Sequence, residues 1–228
     1  MPDIMLKAEN VNKDHKRGGE IIRALINVNL EIYAGEIATI QGPTACGKTT
    51  LLNMLSGLDT PDDGKIFLDG ENISRASEAR LSAIRSQKVG FVFQDFNLID
   101  TLTAVENVEA LLWPTPLHAK DIEKRAIAAL RDVNMLERKD HLPRQLSGGE
   151  KARVAVARAI IHQPRVLFAD EPTGDLDPES GTALMDLLVK LNKDYKTTIV
   201  IVTHDEKIAN KYGKKRIRMD KGQIVGTQ

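Results

Sequence analysis

The stretch "GPTACGKTT", residues 42–50, decides how the rest of the chain is read. Gly42, Gly47, Lys48 and Thr49 satisfy the pattern G-x-x-x-x-G-K-[ST], in which a glycine-rich turn aims backbone N–H groups at a polyphosphate. "GEIATIQ" before it has the composition of a buried strand, and "LLNML" after it supplies the apolar face of a helix that stops near Gly57. A strand–loop–helix order brings several amides and the positive end of a helix dipole to one point. Lys48 is then expected to neutralise β- and γ-phosphate oxygens, and the Thr49 hydroxyl to ligate Mg²⁺. Pro43, Thr44, Ala45 and Cys46 fill the unconstrained positions, and Thr50 follows in the first helical turn. Ala45 and Cys46 are small enough for their side chains to turn away while their amides face the ligand. A left-handed backbone at position 45 would cost alanine about 1 kcal/mol relative to glycine.

Two further stretches carry chemistry. "RVLFADEP" ends an apolar strand with Asp170 and Glu171. Ligands of a parallel α/β sheet gather at the carboxyl ends of its strands, so these acids can share the cleft with the phosphate loop. Alternation along a strand predicts that the pair divides labour, Asp170 holding Mg²⁺ and Glu171 polarising the attacking water. Solvated loop acids are the plain alternative. In "QLSGGEKARVAVARA", Ser147, Gly148 and Gly149 open a helix carrying Val154, Ala157, Arg158 and Ile161, which is either an anion site at a helix N-terminus or a simple cap.

Around these motifs, "IMLKAEN", "KIFLDG", "VGFVFQ" and "TTIVIVTH" also read as strands, and "ESGTALMDLLVKLNKD" places Leu184, Leu187, Leu188 and Leu191 at helical spacing. The pattern favours an α/β fold with a mainly parallel sheet. Residues 97–147 break the rhythm with two helical segments and no strand, which predicts a helical lobe inserted between core segments 1–96 and 148–228. A length of 228 residues with 42% hydrophobic content suits a single domain of this kind. Lys+Arg and Asp+Glu balance at 32 each, so no global basic field points to nucleic acid. Cys46 is the only cysteine, which excludes an internal disulfide and makes a reducing, cytosolic setting the default. No run approaches the ~18 apolar residues of a membrane span, so the chain is not expected to cross a bilayer itself.

Taken in order, the phosphate loop, Gln94 after "VGFVF", "LSGGE" at 146–150, "LFADEP", "GDLD" at 174–177 and His204 in "IVTHD" resemble the ATP-binding-cassette ATPases across essentially the whole chain. The resemblance implies a P-loop NTPase core, RecA-like, with an N-terminal antiparallel β subdomain. It also implies ATP and Mg²⁺ as ligands and a head-to-tail homodimer, in which Ser147, Gly148 and Gly149 serve the ATP of the other copy. Gln94 is implied to reach Mg²⁺ and the attacking water, His204 to contact the γ-phosphate, and Asp175 and Asp177 to link the two sites. Locally, Gln94 could be a strand end and His204 a helix cap. His15 stands where the family usually has an aromatic residue stacked on adenine, and it is expected to stack less well.

"VGFVFQDFNLIDTLTAVENVEALL" and "EPTGDLD" look most like the subgroup serving lipoprotein release, macrolide-type efflux and cell division. That implies a peripheral ATPase on the cytoplasmic face, driving a membrane-spanning permease that docks near Gln94 and the lobe. Trp113 is either an anchor for that partner or a core residue. Transmembrane mechanical signalling and a soluble cassette without cargo are the competing readings. Cys46, at the positive end of a helix, is expected to react with alkylating agents, with Mg-ATP protecting it.

Overall fold

A computed structural model describes residues 3–228. The first 70 residues build most of one antiparallel layer: β1 (Ile4–Arg17) and β2 (Glu20–Tyr33) form a long hairpin, and β4 (Asp63–Leu68) and β5 (Glu71–Asn72) extend it in the order β2-β1-β4-β5. A second sheet runs β10-β9-β3-β8-β7-β6, comprising β3 (Ile37–Gln41), β6 (Val89–Val92), β7 (Val166–Asp170), β8 (Thr198–Thr203), β9 (Lys215–Asp220) and β10 (Gln223–Thr227). Its five strands from β9 to β6 are parallel, and β10 closes the edge antiparallel to β9. The fold is thus the α/β P-loop NTPase arrangement with an antiparallel β layer at its N-terminal end.

The central strands are largely apolar and buried up to their carboxyl ends because both faces of the sheet are covered. Side-chain alternation sends successive residues to different clusters. Ile37, Leu167, Ala169, Ile199 and Ile201 pack with Val154 of α5 (Gly148–Ile160) and with Leu184 and Leu188 of α6 (Pro178–Tyr195). Ala38, Ile40, Phe168, Val200 and Val202 pack instead with Leu51 and Leu55 of α1 (Lys48–Ser56) and with Leu6, Leu30 and Ile66 of the antiparallel layer. Helices α1 and α5 therefore cover opposite faces of the parallel sheet.

Between β6 and α5 the described residues contain no strand. They form α3 (Ala104–Glu109), α4 (Ala119–Asp132) and two single-turn 3-10 helices, Leu136–Arg138 and Pro143–Gln145. A reciprocal Thr103–Glu106 capping box starts α3. The fully buried Asn107 ties α3 to the preceding loop: its Nδ2 donates to the carbonyls of Ile99, Leu102 and Thr103, and its Oδ1 accepts from the Ile99 N–H. Val108, Ala126, Leu130 and Val133 from these segments share the cluster of α5 and α6. At the far end, the Tyr195 hydroxyl of α6 donates to the Asp132 carboxylate of α4, which pushes the phenol up to about 12. Helices α2 (Glu78–Lys88) and α7 (Glu206–Tyr212) complete the chain.

Candidate functional site

Three loops meet at the carboxyl edge of neighbouring strands: 42–47 after β3, Glu171 and its successors after β7, and His204 after β8. Gly47 is the N-cap of α1, with φ 103° and no side chain to cap the helix, so the first-turn amides at Lys48, Thr49 and Thr50 are left for an anion. A Cβ at Gly42 would strike the carbonyl of Met219, and one at Gly47 the carbonyl of Ala24. The loop is therefore clasped between β9 and β2. The Gly222 N–H donates to the Cys46 carbonyl at 2.9 Å, and the Ile26 N–H donates to the Gly222 carbonyl at 2.8 Å, which continues the clasp. Lys48 is 5% exposed and folds back over the loop, its Nζ donating to the carbonyls of Gly42 and Pro43 at 3.0 and 2.9 Å. An ammonium has three hydrogens, so one remains for a phosphate oxygen.

The cation side fits equally well. The Thr49 hydroxyl donates to Asp170 Oδ1 at 3.3 Å, bringing together two of the three expected metal ligands, the third being Gln94. Burial pushes the Asp170 carboxyl above its ordinary value, with the Thr49 hydrogen bond opposing. A divalent cation there would add to the positive charge of Lys48 in favouring the ionised, half-buried carboxylate.

Glu171 departs from the strand alternation expected of it. The strand ends at Asp170, and Glu171 takes a left-handed backbone, φ 45°, its N–H donating to the Val202 carbonyl at 2.9 Å. What separates the two acids is this turn, not opposite faces of one strand. The turn brings Glu171 Oε2 within 2.8 Å of His204 Nδ1, which donates to it. The helix-cap alternative for His204 falls away, because Asp205 caps α7 by accepting from the amides of Lys207 and Ile208. Gln94 lies two residues beyond β6 in an exposed turn, so it is not a strand residue.

Ala45 does have φ 62°, the costly conformation for alanine. Ala45→Gly is therefore expected to stabilise the protein by about 1 kcal/mol, a rise in Tm of roughly 2–4 °C for a domain of this size. A thermal midpoint that stays put or falls would contradict the strain. Cys46 corrects a second expectation. It is 5% exposed and packs in the α1 cluster, so the thiol is turned into the core and not presented at the open end of the helix as that reading assumed.

His15 is exposed on β1 opposite Ile22, near the part of the hairpin whose Ala24 carbonyl faces Gly47. Ser147 forms a reciprocal capping box with Glu150 at the start of α5. Ser147 and Gly148 are exposed, whereas Gly149 is buried, and a Cβ on it would sit 3.0 and 3.1 Å from the Ser180 Oγ and Cβ of α6, a tight contact. Asp175 is exposed, and Asp177 caps α6 by accepting from the amides of Glu179 and Ser180, bonds that hold its carboxyl below the ordinary value. The structure thus does not bring Ser147–Gly149 together with the phosphate loop of the same chain: α1 and α5 belong to opposite faces of the sheet.

Sequence reading misses an apolar groove of about 490 Å³ between β6, α2, α3 and α5, lined by Leu58, Phe91, Phe93, Ile99 and Leu111. Leu58, Ile99 and Leu111 are each 40% or more exposed, an unusual concentration for a free surface. Trp113 is 52% exposed, which removes the core alternative for it. No helix of the described residues is long and apolar enough to cross a membrane.

Residues 25–174 match the family model described as ABC transporter. The chain is 44% identical over 224 residues to an ABC transporter ATP-binding protein of Methanocaldococcus jannaschii, spanning 96% of this chain and 95% of that protein. It is 40% identical over 227 residues to the lipoprotein-releasing system ATP-binding protein LolD 1 of Chlorobium chlorochromatii, spanning 99% and 92%. Among solved structures it is similar to a dimeric ATP-binding cassette in a post-hydrolysis state bound to ADP and Pi, with a TM-score of 0.90, 41% identity and 98% of each chain covered.

Proposed function

The chain belongs to the ABC transporter family of ATPases, and from that premise we propose that two copies pair head to tail around two Mg-ATP and power a membrane-spanning permease of the lipoprotein-release type. The observation that carries this reading is the separation of the two half-sites. Ser147 and Gly148 present an exposed helix N-terminus on the side of the sheet away from α1, so a second copy is needed to bring such an end to the phosphate loop. The dimeric relative and the lipoprotein-releasing relatives support the same arrangement.

Within each site, the loop amides and Lys48 bind the phosphates, with His15 offering a surface for the adenine. Thr49, Asp170 and Gln94 would hold Mg²⁺, which supplies Lewis-acid polarisation of the phosphoryl oxygens when bound. Glu171 accepts a proton from the attacking water, and His204, hydrogen-bonded to Glu171, faces the γ-phosphate. Ser147, Gly148 and Gly149 of the other copy complete the site, while Asp175 and Asp177 connect the two. Asp177 combines that role with capping α6. We assign 97–147 as the helical lobe and 1–96 with 148–228 as the nucleotide-binding core; a shared hydrophobic cluster packs the lobe against α5 and α6.

The permease docks in the apolar groove beside Gln94, presenting an amphipathic helix to Leu58, Phe91, Ile99 and Leu111. On this reading the protein is a peripheral subunit on the cytoplasmic face of the cell membrane. Affinity purification from detergent-solubilised membranes should recover a membrane-spanning protein with the parental chain. Leu111→Asp should lose it, with basal ATP hydrolysis within about twofold of the parent. Recovery of ribosomes or DNA in place of a membrane protein would contradict the transport reading.

A further inference from the structure

The turn that carries Gln94 is held from outside. Beyond β6 the Phe96 N–H donates to the Phe93 carbonyl at 3.0 Å, closing a turn with Gln94 and Asp95 at its tip. Phe96 and Asn97 then adopt φ of 59° and 45° in succession, both in the left-handed region that a bulky side chain such as phenylalanine rarely enters. Two such residues in a row persist only where their surroundings over-determine them. The Phe96 ring is buried in the cluster of α5 and α6, which anchors one side.

The other anchor is Arg158. Its Nη1 donates to the Asn97 carbonyl and its Nη2 to the Phe96 carbonyl, both at 2.6 Å. A half-buried guanidinium usually stands against a carboxylate. Among the described residues Arg158 has none, and burial alone acts on it, lowering its pKa. Its planar fork instead matches two adjacent carbonyls, a geometry that a lysine ammonium cannot reproduce. Arg158 also lies on α5, the helix whose N-cap is Ser147. One helix therefore carries the residue offered to the other copy's nucleotide and the clamp on this copy's Gln94 turn.

We propose that Arg158 is a positioning residue for hydrolysis, fixing the turn that presents Gln94 to the metal and the attacking water from the same helix that Ser147 caps. The proposal rests on the roles given above to Gln94 and Ser147. It goes beyond them in naming what sets the Gln94 geometry.

The test is a double-mutant cycle in the full-length protein with Arg158→Met and Gln94→Ala, reading kcat, KM for ATP and nucleotide Kd. Arg158→Met should lower kcat on the order of 10- to 100-fold, the scale of an ångström-sized misplacement, with KM and Kd within about threefold. The double variant should be no slower than Gln94→Ala alone, because Arg158 acts through Gln94. Asn97→Gly, which makes the left-handed turn easier to hold, should restore part of the rate of Arg158→Met. If the two substitutions multiply, or if KM and Kd move with kcat, Arg158 is only a packing residue and the proposal is wrong. Should Arg158→Met fail to fold, Arg158→Lys replaces it in the same cycle, where additive losses would again overturn the proposal. A Gln94→Ala protein at the parental rate would remove the role given to Gln94 and the proposal with it; a slow Gln94→Ala beside an unaffected Arg158→Met would remove the proposal alone.

Discussion

Replacing Glu171 by glutamine is expected to lower the rate of ATP hydrolysis by about 10²- to 10⁴-fold, the usual contribution of a positioned general base. The substitution removes proton acceptance and little else. An amide oxygen can still accept from His204 Nδ1, as Glu171 Oε2 does at 2.8 Å. The left-handed backbone at position 171 is no harder for glutamine than for glutamate. ATP affinity should therefore survive while turnover stops, and the two-copy state that hydrolysis would reopen should accumulate. Single-turnover hydrolysis together with size-exclusion chromatography in Mg-ATP reads both. Hydrolysis at the parental rate would remove Glu171 from the chemistry, and an unchanged rate with no lasting dimer would remove the coupling as well.

Lys48→Ala should act at the earlier step. The ammonium is buried and folded over the loop, so its loss deletes a cation at the point where phosphate charge accumulates. A charge-assisted bond of this kind is worth about 3 kcal/mol, so the ATP dissociation constant should rise roughly a hundredfold. Fold stability should change far less, because within the chain the ammonium donates to two carbonyls of the loop itself and ties no distant element to it. Titration with a fluorescent nucleotide, beside a thermal melt, separates the effects. Unchanged affinity with a normal melt would contradict the placement of the phosphates.

How much of this is legible in the sequence depends on whether a residue's partner is local. The phosphate loop, β3, β7 and β8 can be read because a pattern or a largely apolar run carries them. The second strand of the hairpin, β2, cannot be read so easily. Leu30 and Ile32 alternate cleanly, but Asn27 has φ 48° and the register slips beside it, so Leu25 and Val28 fall out of period two. Alternation within 28–32 is the available signal, and Ile217 with Met219 offers a shorter one for β9. Helix α2 buries only Leu81 and Ile84, too few to set a period.

Site geometry follows the same rule. The identities of Asp170, Glu171 and His204 are legible from their order along the chain, whereas the left-handed turn that points Glu171 at His204 is not. Alanine at position 45 gives no sign of φ 62°, since no short pattern marks a left-handed alanine. Cys46 defeats a reading from its helix-end position, which says nothing of the clasp that turns it inward. The Arg158 clamp joins a side chain to main-chain carbonyls 61 and 62 residues earlier, and main-chain acceptors leave no trace in residue identity.

The central claim is that each site takes its phosphate loop from one copy and its Ser147 helix end from the other. Mixing two inactive variants tests it most directly: Lys48→Ala, which loses the loop, and Ser147→Arg, which places a bulky cation at the exposed cap of α5. In a mixed pair, the intact loop of the Ser147→Arg copy meets the intact cap of the Lys48→Ala copy, so one complete site is formed. The account predicts ATP hydrolysis in the mixture that neither variant shows alone; a mixture as silent as its components would contradict it.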